Sequence, residues 1–221
     1  MELRGGFDII WCLGDVVGYG PDPHMCIDLL RLYEHLCIAG NHDWAAIGKI
    51  DTSDFNPAAA QASHWTAEQL TPEDKEYLQN LPLSLCRGDF TLVHGSPREP
   101  IWEYILSTIE AQENYAFFET DYCLVGHSHV PLVFENSGND VIYKECPDKD
   151  RQPLENNRLI INPGSVGQPR DGDPRASYAV YESEDRVVYH YRVDYDVEET
   201  QRRMMENGLP ASLVQRLSFG W

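Results

Sequence analysis

Four glycine-bearing polar clusters, each set at the end of a short apolar run, constrain this chain more than any other feature. They are Gly14-Asp15-Val16-Val17-Gly18, Gly40-Asn41-His42-Asp43, Val93-His94-Gly95-Ser96 and Gly126-His127-Ser128-His129. A strand that stops at a glycine aims one side chain and then lets the backbone turn sharply beside it. In α/β folds the carboxyl ends of strands are where sites assemble. Three clusters follow their predicted strands directly, and His94 closes its own. Together they offer carboxylate, amide oxygen and several imidazoles. That donor set suits Zn, Mn, Fe or Ni better than Mg or Ca. A carboxylate can bridge two cations, and paired cations clamp the attacking and leaving oxygens of a phosphoryl transfer. A further histidine outside the ligand set could protonate the leaving group.

The surrounding pattern predicts the elements that carry these clusters. Residues 7–13 and 37–39 read as buried strands, ended by Gly14-Asp15 and Gly40-Asn41. Between them residues 23–36 read as a helix, with Met25, Leu29, Leu32 and Leu36 in one apolar stripe. Residues 57–70 read as a second helix, capped by Asn56 and opened by Pro57. Thr71-Pro72-Glu73-Asp74 opens a third. Strand patterns then dominate, over residues 83–87, 90–93, 122–125, 130–135, 141–144, 158–161, 177–181 and 186–193. Residues 147–157, charged and proline-bearing, read as a mobile loop. Residues 196–217 read as a helical tail broken at Gly208-Leu209-Pro210. Helices early and hairpins late predict a layered α/β fold with mixed sheets, one domain over residues 1–221.

Composition removes several function classes. With 17 Lys and Arg against 36 Asp and Glu, the net charge of −19 repels nucleic-acid phosphates. It leaves an anionic substrate open, because a cation in a cleft inverts the local sign. No run approaches the roughly 20 apolar residues of a membrane helix. The start has no signal-peptide pattern, which with the cysteines points to a cytoplasmic protein. The six cysteines form no C-x-x-C pair, and several sit in apolar runs as small hydrophobes.

In this order the four clusters resemble the calcineurin-like metallophosphoesterase superfamily. The run Ile161-Asn162-Pro163-Gly164-Ser165-Val166-Gly167-Gln168-Pro169-Arg170 is similar to the N-P-G-S-V-G segment of its bacterial and archaeal small-phosphoesterase branch. The resemblance implies a four-layer α/β/β/α sandwich of two mixed sheets with a two-metal centre between them. It implies Asp15 as bridging carboxylate, with Asn41, His94 and His127 as the other ligands of the second metal. His129 would serve the first metal. His42 would meet the substrate phosphate or leaving group, and Asp43 would orient His42. The implied reaction is hydrolysis of a phosphate mono- or diester by in-line attack of metal-bound hydroxide, on a small ester, a nucleotide or a phosphoprotein.

The chain also departs from that pattern. The family opens with a D-x-H strand that supplies two more ligands of the first metal. Here 14 residues precede Asp15, without a histidine, and Asp8 lies in the wrong strand. The first metal keeps Asp15 and His129 alone, a poor cage. Loss of a central strand would also expose an apolar sheet edge. An N-terminally truncated sequence is therefore expected, with Met1 internal or wrongly chosen. The alternative is a short form that holds one metal, or a catalytically impaired metal-binding or interaction protein on the same fold. A structural zinc protein ranks last, because the ligands sit on separate strands of an extensive core.

Other residues carry two readings each. Tyr19 could reach the cleft or pack on Pro21. His64 and Trp65 read first as a core-facing helix surface. Arg98 and the Trp102-Glu103-Tyr104 loop could line a pocket, with a surface salt bridge equally open to Arg98. Arg170 could bind substrate phosphate, although the turn-rich run from Gln168 to Arg175 also suits a loop with internal ion pairs. His24, His35 and His190 read as surface or core histidines, and Gln201-Arg202-Arg203 as a solvated helix face.

Overall fold

The computed structural model describes residues 6–138 and 140–221. The opening residues, on which the expectation about the start of the chain bears, lie outside the described residues. Strand β1 (Ile10–Cys12) leads through α1 (Pro23–Arg31) to β2 (His35–Cys37), with which it pairs in parallel. Helices α2 (Asn41–Ala46), α3 (Pro57–Gln69) and α4 (Pro72–Gln79) follow. Next come β3 (Ser84–Arg87), β4 (Phe90–Val93), α5 (Thr108–Asn114), β5 (Tyr122–Leu124), β6 (Leu132–Asn136) and β7 (Val141–Glu145). The chain continues through β8 (Arg151–Pro153), β9 (Arg158–Asn162), β10 (Ala176–Glu182) and β11 (Val187–Val193), then α6 (Val197–Glu206) and α7 (Ala211–Arg216).

The largest sheet has the order β3-β4-β5-β9-β6-β7, parallel at β4-β5-β9 and antiparallel at its margins. Its side chains alternate between two buried faces. Val93, Cys123, Phe134 and Ile160 pack towards Ala111 and Tyr115 at α5. Phe90, Leu92, Tyr122, Val133, Leu159 and Ile161 pack towards Trp11, Ala179, Tyr181 and Val188 of the smaller sheets, β1-β2 and β10-β11-β8. Val17, Ile27, Ala46 and Leu78 cover β1-β2 from outside, and Ala62 of α3 joins Met204 and Leu213 of the last two helices. The layers run helix, sheet, sheet, helix. Among the described residues β1 has β2 as its sole ladder partner, and the indole nitrogen of Trp11 is buried without a hydrogen bond.

The β1-β2 pairing corrects the expected helix over residues 23–36. Helix α1 stops at Arg31, and Leu36 lies in β2, opposite Trp11. The expected stripe is not the buried one: Met25, Leu29 and Leu32 are exposed, while Pro23 and Ile27 are buried and Leu30 packs with them. Both faces of this helix are apolar, so spacing alone could not choose between them. Strand β2 correspondingly starts at His35 and ends at Cys37, short of Ala39. Residues 147–157 are not a free loop, because β8 pairs with β11 and Leu154 is buried. Helix α5 had no expectation, although Ser107 and Glu110 open it with a capping box. The caps on α3 and α4 do form: Asn56 accepts from Ala59 N at 3.0 Å and Thr71 from Asp74 N at 3.1 Å. The tail breaks at Gly208 as expected, but Arg203 turns inward to Asp22. Among the described residues no helix is long and apolar enough to cross a membrane.

Candidate metal centre

Strands β1, β2, β4 and β5 end at one rim, and the turns after them bring Asp15, Asn41, His94 and His127 together. His94 Nε2 lies 3.2 Å from Asn41 Oδ1, 3.2 Å from His127 Nδ1 and 3.3 Å from Asp15 Oδ2. The outer ring nitrogens meet backbone carbonyls: His94 Nδ1 donates to Leu13 at 2.7 Å and His127 Nε2 to Trp102 at 3.2 Å. A carbonyl only accepts, so each imidazole proton sits on the outer nitrogen. The inner nitrogens are then lone pairs, and they face two further acceptors on Asp15 and Asn41. Acceptors converging without a proton between them repel, and a divalent cation satisfies all of them. A proton is the lesser substitute. Burial opposes charge on His94, yet the Asp15 carboxylate beside it holds its pKa above the ordinary histidine value. Burial likewise opposes charge on Asp15, and His94 and His42 hold that carboxyl far below the usual range.

The backbone is strained where these side chains leave it. Asp15, Tyr19, His127 and His129 all adopt left-handed conformations, with φ of 54°, 57°, 55° and 61°. Such residues cost on the order of 1–3 kcal/mol each and persist where their surroundings dictate them. Gly40 permits the closest approach: a Cβ there would lie 2.1 Å from Asp15 Oδ1. Asp43 does not orient His42 as expected. Its carboxylate accepts from three backbone N–H groups, Asp15 at 2.7 Å, Gly40 at 2.9 Å and Val17 at 3.2 Å. It clamps the turn after β1 to the turn after β2. Two causes, burial and then the neighbouring Asp15, push its pKa up to about 7.

His42 lies between the rings of Tyr19 and Phe55, with centroids 4.2 and 4.8 Å away, and its Nδ1 is 3.4 Å from Ser63 Oγ. Its backbone N–H donates to Asp15 Oδ1 at 2.8 Å. His129 stands outside the tight set, in which the ligand atoms of Asp15, His94 and His127 all lie within 4.8 Å of one another. Its Nδ1 donates to the Gln168 carbonyl at 2.7 Å, and its ring meets Tyr19 edge-on at 6.5 Å. Tyr104 stacks on His127 at 4.0 Å. Arg170 reaches the Tyr19 hydroxyl at 3.3 Å, while the ion pairs of its loop form on Arg175 and Arg192 instead.

Several residues singled out from sequence lie elsewhere. His64 is exposed and bonds Thr52; its neighbour Ser63 is the one that faces His42. Arg98 pairs with Glu103 and Glu113, the salt-bridge reading. Trp65 packs on the terminal helices. His35 meets Tyr77 and His190 meets Ser177. His24 reaches Asp74 with Nδ1 at 2.9 Å and Asp28 with Nε2 at 3.3 Å, a second group with ligand atoms within 4.8 Å of one another, in which His24 and Asp28 are exposed. Sequence reasoning missed Phe55, Ser63 and Arg216, none of which sits in a recognisable motif. Gln168 was passed over although it lies in the segment that carried the resemblance.

Burial sets an acid limit. It lowers the pKa of His42 to about 4 and those of His127 and His129 to about 3, helped by His94 at His127 and by Arg170 at His129. Groups whose folded pKa lies below the unfolded value of 6.5 lend stability that is complete above 6.5 and lost as pH falls towards 3–4. His94 and Asp43, whose pKa values are raised, work in the opposite sense, but they are two groups against three. Chelator-treated protein is therefore expected to melt at progressively lower temperature between pH 7 and pH 4. Added Mn²⁺ should hold the melting temperature up further into acid, because it competes with protons for the same nitrogens. Calorimetry at pH 7, 5.5 and 4 checks both.

Comparison with known proteins gives the family and the fold. A family model for the calcineurin-like phosphoesterase superfamily domain matches residues 1–186. An uncharacterised protein of Methanocaldococcus jannaschii is 37% identical over 97% of this chain and 88% of its own length. The crystal structure of a metallophosphoesterase from Sphaerobacter thermophilus is 47% identical and superposes with a TM-score of 0.91 over 100% of this chain and 91% of that one. A hypothetical protein from Pyrococcus horikoshii, 22% identical, shares the fold, with a TM-score of 0.80 over 100% of this chain and 88% of its own. The chain belongs to the calcineurin-like phosphoesterase superfamily, a family of divalent-metal-dependent phosphoesterases.

Proposed function

We propose that this chain hydrolyses a phosphate mono- or diester at a metal centre held by Asp15, Asn41, His94 and His127, with Mn, Fe, Zn or Ni as occupant. The observation that carries this reading is the convergence of acceptors around His94 Nε2, with the imidazole protons fixed on the far side by carbonyls. A divalent cation bound there supplies charge for the phosphoryl oxygens and acidity for a water molecule. Asp15 and His129 are the residues available to a second cation, and two protein ligands hold it weakly. The substrate class is a small phosphate ester, a nucleotide or a phosphoprotein, met in the cytoplasm.

His42 supplies the proton step. At rest it is neutral, because burial lowers its pKa to about 4. An arriving phosphate raises its proton affinity. The ring, which takes a proton from solvent as the phosphate binds, can pass that proton to the leaving oxygen. Tyr19 and Phe55 fix the ring for that transfer. His42→Ala is expected to lower kcat on p-nitrophenyl phosphate about 10²-fold with a smaller change in KM. Assays with added Mn²⁺ on p-nitrophenyl phosphate and bis-p-nitrophenyl phosphate test the whole reading. Tight Mn²⁺ binding without turnover of either ester would put the binding-protein alternative ahead.

A further inference from the structure

Two arginines stand at the mouth of the metal centre with no carboxylate beside either among the described residues. Arg170 lies in the loop between β9 and β10, and Arg216 ends α7. Arg175 of the same loop and Arg192 of β11 are neutralised by Asp173 and Asp171. Arg170 and Arg216 instead share one neutral atom. Gln168 Oε1 accepts from Arg170 Nε at 3.3 Å, Arg170 Nη2 at 3.0 Å and Arg216 Nη1 at 3.2 Å. Burial and then the Arg170 charge push the pKa of Arg216 below its usual value. The same glutamine carries an unspent donor: Gln168 is 4% exposed and its Nε2 is buried without a partner. A buried donor left without a partner is unfavourable. The two guanidiniums meet only neutral acceptors here, Gln168 Oε1 and the Tyr19 hydroxyl, and among the described residues no carboxylate takes up their charge. Gln168 also ties the group to the metal centre, because its backbone carbonyl holds His129.

We infer that Arg170, Arg216, Gln168 and Tyr19 form an anion pocket that takes a dianionic phosphoryl group and selects phosphomonoesters over phosphodiesters. The inference rests on the phosphoesterase reading above and narrows its substrate. A monoester brings two negative charges and three peripheral oxygens near neutral pH, which two guanidiniums and a buried amide N–H can match. A diester brings one charge and puts an ester carbon where the third oxygen would be. One guanidinium is then left unmatched, and the Gln168 donor stays orphaned.

The test compares the Mn²⁺-loaded parent with Arg216→Ala, Arg216→Lys and Gln168→Glu. The readouts are kcat/KM on p-nitrophenyl phosphate and on bis-p-nitrophenyl phosphate, and orthophosphate binding by calorimetry. Arg216→Ala is expected to lower the monoester-to-diester ratio about tenfold or more and to weaken orthophosphate by a similar factor, with Arg216→Lys recovering part of both. Gln168→Glu puts a carboxylate between the arginines, so it should keep the fold and still lose orthophosphate. An unchanged ratio in Arg216→Ala, or parent-like orthophosphate binding in Gln168→Glu, overturns the pocket. If the parent hydrolyses neither ester, the phosphoesterase reading falls, and orthophosphate binding alone decides: loss in both variants keeps the pocket, and unchanged binding removes it.

Discussion

Replacing Asp15 is expected to lower kcat/KM on p-nitrophenyl phosphate by about 10³-fold or more, with loss of tight Mn²⁺ binding. Asp15 carries the only charge among the four converging acceptors, and its two oxygens serve different partners. Oδ2 faces His94 Nε2 at 3.3 Å, while Oδ1 accepts the His42 backbone N–H at 2.8 Å. Without it, an amide and two imidazoles remain, and the His42 backbone N–H loses its carboxylate acceptor. Asp15→Asn is the cleaner variant. Asparagine tolerates the left-handed backbone at this position, φ 54°, whereas alanine adds strain of its own. Mn²⁺ titration calorimetry and steady-state kinetics on Asp15→Asn read the two losses separately. A variant that keeps more than about a tenth of the parent rate would place the chemistry elsewhere.

The site was more legible in sequence than the elements around it, for a physical reason. A glycine directly after an apolar run marks a strand end, and Gly14, Gly40 and Gly126 each mark one. Gly40 cannot be otherwise, since any Cβ would overlap Asp15. The clusters could therefore be placed at strand ends before the fold was known, and the family resemblance implied that Asp15, Asn41, His94 and His127 meet there. Arg216 and Ser63 could not. Each reaches the centre through the packing of a helix that carries no motif. Asp43 was legible as a site residue but not in its role, because a carboxylate beside a histidine looks the same whether it bonds the ring or the backbone. The face of α1 failed for the converse reason. Met25, Leu29 and Leu32 are as apolar as the residues that α1 buries, and only the β1-β2 pairing decides between the faces.

Asp43→Ala should destabilise the protein by about 3–5 kcal/mol, near the upper end for a point substitution. Its carboxylate is the acceptor for the backbone N–H groups of Asp15, Val17 and Gly40, and it is fully buried. Truncation strands all three donors and unties the turn after β1 from the turn after β2. In a chain of this size the loss amounts to roughly 10 °C or more in melting temperature. Asp43→Asn should fall between, because one amide oxygen still accepts while the NH₂ group turns a donor towards a donor. Both variants should weaken Mn²⁺ binding, since Asp15 and Asn41 sit on the two turns that the clamp joins. The outcome also separates two roles. Loss of stability together with metal affinity is the signature of the clamp. Parent-like melting with lost hydrolysis would instead mean that Asp43 acts on His42, the role first expected from the sequence.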